Sequence, residues 1–155
     1  TRKVRGQKRA INSESNQFIG TSRGGKTTEI HMIVDALGNP VHFMLTGGQV
    51  HDSAAAVDLL AGVPLSRSNI LGDKACGAKH IRDYITQQGA TYTIPPKKNC
   101  AEPWYCDFHT YKERHLVECF LNKLKVFHRV YTRYDKLAVS FAAFIHLASI
   151  CVLLK

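Results

Sequence analysis

The stretch Phe108-His109-Thr110-Tyr111-Lys112-Glu113-Arg114-His115-Leu116-Val117-Glu118-Cys119-Phe120-Leu121-Asn122-Lys123-Leu124-Lys125-Val126-Phe127 carries the densest pattern in the chain. Leu116, Val117, Phe120, Leu124 and Phe127 recur at helical spacing and share one side of a helix. Tyr111, Arg114, Glu118 and Lys125 fall on the other side, within an arc of about 60° when each residue turns about 100°. The pattern predicts one long amphipathic helix over residues 108–127. Its polar stripe holds a phenol, an acid and two bases. A carboxylate there can ligate a metal, and the flanking cations can hold phosphates. A solvated face with ordinary salt bridges has the same pattern, so geometry leaves both readings open.

Upstream of this helix, strands alternate with helices. Residues 28–36 alternate as a strand, with Ile30, Met32 and Val34 in phase. Leu37-Gly38-Asn39-Pro40 has hairpin-turn chemistry, and residues 41–46 read as the returning strand, closed by Gly47-Gly48. Then come a helix over 51–62, a short strand over 69–72, a helix over 78–88 that stops at Gly89, and a strand over 91–94 that stops at Pro95-Pro96. Residues 97–107 are irregular, and residues 128–136 form a basic connection to a last apolar helix. The order predicts an α/β domain with a mixed sheet flanked by helices. Residues 1–26 carry seven bases against Glu14 alone and read as a basic arm or loop, leaving 27–155 as the folded domain.

The 155 residues suit a single domain, and 45% apolar with 21% charged residues is a globular composition. A net charge of +9 points to a polyanionic partner. Five scattered cysteines do not make a secreted disulfide framework, and the basic N-terminus lacks the apolar run of a signal peptide; a reducing cytoplasm fits. Residues 137–154 are just long enough to span a bilayer, but Ser140, His146, Ser149 and the many alanines favour a buried helix and no membrane partner.

Asp73 follows a short apolar strand, where sites commonly form in α/β sheets; capping the next helix is its plainer job. Asp73 and Glu118 together can share a divalent metal. Cys100, Cys106, His109 and His115 form a rival zinc pattern, although the cysteine spacing is wide for zinc.

Tyr111-x2-Arg114-x3-Glu118-x6-Lys125 matches the Y-x2-R-x3-E-x6-K signature of bacterial insertion-sequence transposases of the DDE type. Thr132-Arg-Tyr-Asp-Lys136, Ile19-Gly-Thr-Ser-Arg-Gly-Gly25, Val34-Asp-Ala-Leu-Gly-Asn-Pro40 and Gly48-Gln-Val-His-Asp52 resemble the insertion sequence 5-like group. The resemblance implies an RNase H-like fold and a site of two Asp and one Glu that binds two metal ions, Mg²⁺ or Mn²⁺. It places the second Asp at Asp73 and the Glu at Glu118, both as metal ligands. It implies that Arg114 and Lys125 grip the DNA backbone or orient Glu118. Tyr111 would bond a phosphate or support the helix. Lys97, Lys98, Arg129 and Arg133 would add backbone contacts. Asp73-Lys74-Ala75-Cys76 departs from the family's Asp-x-Gly-Tyr, and Asp35 fits a hairpin position rather than a catalytic one. The family's first Asp, in an Asp-Ser/Gly-Thr motif, is expected upstream of Thr1, so the domain is expected to lack its first strand. The implied protein cuts and joins DNA at the ends of its element and at a target, with a homodimer possible, in the bacterial cytoplasm at the nucleoid. A remnant that only binds DNA is the alternative. The charge predicts duplex binding without sequence preference, and titration at rising salt should show affinity falling steeply.

Overall fold

The structure is a computed structural model that describes residues 17–22 and 25–155. Strands β1 (Gly20–Ser22), β2 (Gly25–Val34) and β3 (Pro40–Gly47) form an antiparallel sheet in that order. Helix α1 (Asp52–Ala61) follows. Strand β4 (Asn69–Leu71), a 3₁₀ turn (Lys74–Gly77), helix α2 (Lys79–Gln87) and strand β5 (Thr91–Thr93) come next, with β4 and β5 paired in parallel. The chain ends in α3 (Phe108–Tyr111), a 3₁₀ turn (Lys112–Arg114), α4 (His115–Leu124), α5 (His128–Tyr131) and α6 (Ala138–Leu153).

Three expectations change. The single mixed sheet is two sheets among the described residues, because β4 and β5 are three residues long and pair only with each other. Part of the stretch expected as an arm is ordered: β1 pairs with the start of β2, Gly20 opposite Thr27. Residues 1–16 and 23–24 of that stretch lie outside the described residues. The long helix is interrupted at Lys112–Arg114 and stops at Leu124. It stops because Phe127 takes an extended backbone and packs its ring against the core, and the chain then re-enters a helical turn that buries Val130.

The β2–β3 turn follows from its residues. Asp35 accepts the N–H groups of Leu37 (2.9 Å) and Asn39 (2.8 Å) on Oδ1 and the Asn39 amide on Oδ2. These bonds, those of Asn39 first, hold the Asp35 carboxyl below its usual pKa. Gly38 takes the left-handed conformation, φ +82°, that favours glycine. Asp35 is therefore committed to the turn, as its hairpin position in the sequence implied.

Two cores lie on opposite sides of β2. Ile30, Met32 and Val34 face a cluster with Leu45, Phe120, Leu124, Val130, Phe141 and Ile145. Ile33, on the other face, packs against Leu60, Ile81, Ile85 and Ile94. The period-two alternation of the strand thus feeds both. Arg133 ties Gln17 and Thr28 to the segment before α6: Nη1 donates to Gln17 O (2.9 Å) and Thr28 Oγ1 (2.6 Å), Nε to Asp135 O (2.9 Å) and Nη2 to Lys136 O (3.2 Å). The Gln17 side chain accepts the first free N–H of α6, that of Ala138 (2.8 Å).

Among the described residues, no helix is long and apolar enough to cross a membrane. Ile145 of α6 is wholly buried. Ile145→Ala is expected to cost about 2–5 kcal/mol in urea unfolding at fixed protein concentration.

Candidate active site

The break at Lys112–Arg114 shapes the polar stripe. In a 3₁₀ turn residues three apart eclipse one another, and Arg114 lies with its guanidinium carbon 5.9 Å from the centre of the Tyr111 ring. One α-helical turn later, Arg114 Nη2 donates to Glu118 Oε1 at 2.6 Å. Tyr111, Arg114 and Glu118 therefore form one line up the helix, as their spacing implied. Lys125 continues it, exposed, with Nζ 3.5 Å from Asn122 Oδ1.

Asp73 stands two residues beyond β4, at the carboxyl end of the parallel pair. Its Oδ1 accepts the N–H groups of Ala75 (2.9 Å) and Cys76 (3.2 Å), which caps the 3₁₀ turn after it. This is the capping role read from sequence, and the residue stays half-buried. Gly72 lets this turn sit close to its neighbours, since a Cβ there would stand 3.1 Å from Cys76 Cβ.

Burial disfavours the charge of Arg114, but the hydrogen bond and the charge of Glu118 outweigh that and raise its pKa above the ordinary value. Its pair with Glu118 is half-exposed and is worth about 0.2–1 kcal/mol.

Asp73 and Glu118 offer hard oxygen donors suited to Mg²⁺ or Mn²⁺. Asp73 commits Oδ1 to backbone and Glu118 commits Oε1 to Arg114, which leaves Oδ2 and Oε2 outside these bonds. Among the described residues, no three Asp, Glu, His or Cys side chains gather as a metal site. The Cys100, Cys106, His109, His115 alternative does not assemble: His115 Nδ1 lies 2.8 Å from Lys112 O, and Cys106 is buried.

The remaining cations separate. Arg129 is exposed, 3.5 Å from Asp135 and stacked over Phe144. Arg133, expected on DNA, directs four donor contacts to the protein and lies over Phe141. It serves the fold. Trp104 was missed in the sequence. Its Nε1 donates to Ile94 O at 2.7 Å, its ring would stand 3.3 Å from a Cβ at Gly77, and Arg82 stacks on it at 3.8 Å. It props the Asp73 turn from below. The available signal was a single tryptophan in an otherwise polar loop.

The sequence profile of the transposase DDE domain matches residues 3–103, which include Asp73 and stop short of α4. The chain is 35% identical over 130 residues to a Brucella ovis protein named "Putative transposase for insertion sequence element IS6501", an overlap of 83% of this chain and 99% of that one. The chain belongs to the transposase DDE family. No solved structure matches it. The family acts on DNA with divalent metal ions, and the mixed α/β architecture of this transposase agrees with that membership.

Lys125 and Arg133 give opposite expectations. Lys125→Ala should weaken duplex binding alike for all sequences and lower the salt slope by about 1. Arg133→Lys, unable to reproduce the fork, should leave that slope unchanged and lower stability by about 1–3 kcal/mol in thermal unfolding.

Proposed function

We propose that this transposase cleaves and rejoins DNA strands at the ends of an insertion sequence, with Asp73 and Glu118 as two of the carboxylates that bind Mg²⁺. The observation that carries the reading is the aligned stripe of Tyr111, Arg114 and Glu118, with Arg114 bonded to Glu118, in a member of the transposase DDE family whose Asp73 stands at the carboxyl end of a parallel strand pair. The two small sheets and the helices packed on them support an RNase H-like arrangement.

A bound divalent cation supplies Lewis acidity and an activated water or 3′-hydroxyl. Hydrolysis forms a P–O bond to water and breaks the P–O3′ bond; strand transfer replaces water by a 3′-hydroxyl. The chain's own residues position the DNA. Arg114, with two faces of its fork to share, holds Glu118 in place until a phosphate competes for the guanidinium. Lys125 and Arg129, both exposed, neutralise backbone phosphates. Tyr111, half-buried beneath Arg114, fixes the guanidinium's approach.

The purified chain incubated with DNA carrying the element's ends and Mg²⁺ tests the reading. Cleavage should fall at least about 100-fold in Glu118→Gln and in Asp73→Asn, as expected for loss of a group acting in the transition state, while duplex affinity without metal stays the same. Salt-sensitive binding with no cleavage by the unaltered chain would instead support the binding-only alternative.

A further inference from the structure

Asp73 owes its orientation to a turn with little hold of its own. Its Oδ1 accepts from Ala75 and Cys76, so the carboxyl group follows those two N–H groups. Both belong to the 3₁₀ turn Lys74–Gly77, which contains no buried residue. A 3₁₀ turn has poorer hydrogen-bond geometry than an α-helix and persists only in short pieces. The placement of this one therefore comes from its neighbours.

Two contacts at Gly77 supply it. Arg82, one turn into α2, donates Nε to Gly77 O at 3.3 Å. The edge of the Trp104 ring lies 3.3 Å from where a Cβ at Gly77 would stand. The two contacts are joined, because the Arg82 guanidinium carbon sits 3.8 Å from the centre of the Trp104 ring. Its Nη1 is also directed to the Tyr92 hydroxyl, 3.4 Å away, and Tyr92 meets Trp104 edge to face with ring centres 6.5 Å apart. This frame is anchored in the core. Trp104 Nε1 is bonded to Ile94 O, Ile94 is buried, and so is Ile81 beside Arg82. A planar guanidinium can lie flat on an indole and still give one donor to Gly77 and another to Tyr92. An ammonium has no such fork.

We propose that Arg82 is a positioning residue: stacked on Trp104 and bonded to Gly77, it fixes the turn whose N–H groups orient the Asp73 carboxylate. It acts through that turn and not on the reacting atoms. The inference rests on the reading of Asp73 as a metal-binding carboxylate. It adds to that reading a residue from α2, outside the stripe of Tyr111, Arg114, Glu118 and Lys125.

Arg82→Lys keeps the charge and removes the fork, so it tests the proposal through amide hydrogen exchange, Mn²⁺ titration calorimetry and DNA cleavage. Exchange at the Ala75 and Cys76 amides should quicken about tenfold, while that of α6 stays unchanged. Mn²⁺ affinity, and the cleavage rate at saturating DNA, should each fall about 10–100-fold with KM for DNA unchanged. Trp104→Phe keeps a ring beneath the guanidinium and loses the bond to Ile94 O. It should quicken the same two amides, and it can be read even if Arg82→Lys does not fold. Exchange that quickens alike in the turn and in α6 means a merely structural role and overturns the proposal. So does unchanged exchange at the turn in the folded variants. Quickened exchange with unaltered Mn²⁺ affinity, in a chain whose affinity Asp73→Asn lowers, overturns it as well. If Asp73→Asn leaves Mn²⁺ affinity unchanged, the metal reading of Asp73 fails by itself. Exchange at the turn then still decides whether Arg82 orients its carboxyl group.

Discussion

Most of the structure hangs on the alternation of one strand. β2 turns Ile30, Met32 and Val34 toward α4, α5 and α6, and Ile33 toward α1 and α2. A slip of one residue against β3 would exchange these sets and empty both cores. The register is fixed where β2 turns into β3, by the Asp35 turn and the adjoining irregularity between Ile33 and Val34 opposite Pro40, which has no N–H to give. Because β2 serves both cores, the helix carrying Glu118 and the turn carrying Asp73 are positioned by opposite faces of the same strand.

Electrostatics then sets what the site can hold. Arg114 is bonded to Glu118 through Oε1 and is only partly exposed. A second cation meets the open Oε2 and competes with the guanidinium for the charge of the same carboxylate.

Local periodicity made the hairpin, α1, α2, β5 and the apolar last helix legible in the sequence, because each follows from side-chain phase or from turn residues within a few positions. The Tyr111-Arg114-Glu118-Lys125 stripe was legible for the same reason, and so was Asp73 at a strand's end. Long-range effects were not. The stop after Leu124 comes from Phe127 and Val130 packing in the core, and neither it nor the interruption at Lys112–Arg114 is revealed by any window of the helix. Arg133 reads as one more surface base until Gln17, more than a hundred residues away, is seen beneath it. The division into two sheets depends on which strands meet, and strand patterns alone carry no partner.

The position of Trp104 gives the molecule a built-in optical probe. It is the chain's single indole, bonded to Ile94 O, pressed on Gly77 and stacked under Arg82. All of its near-ultraviolet indole emission therefore originates beside the Asp73 turn. Movement of that turn, or a change in the charge above the ring, alters the colour and intensity of the light this protein emits, with no label attached.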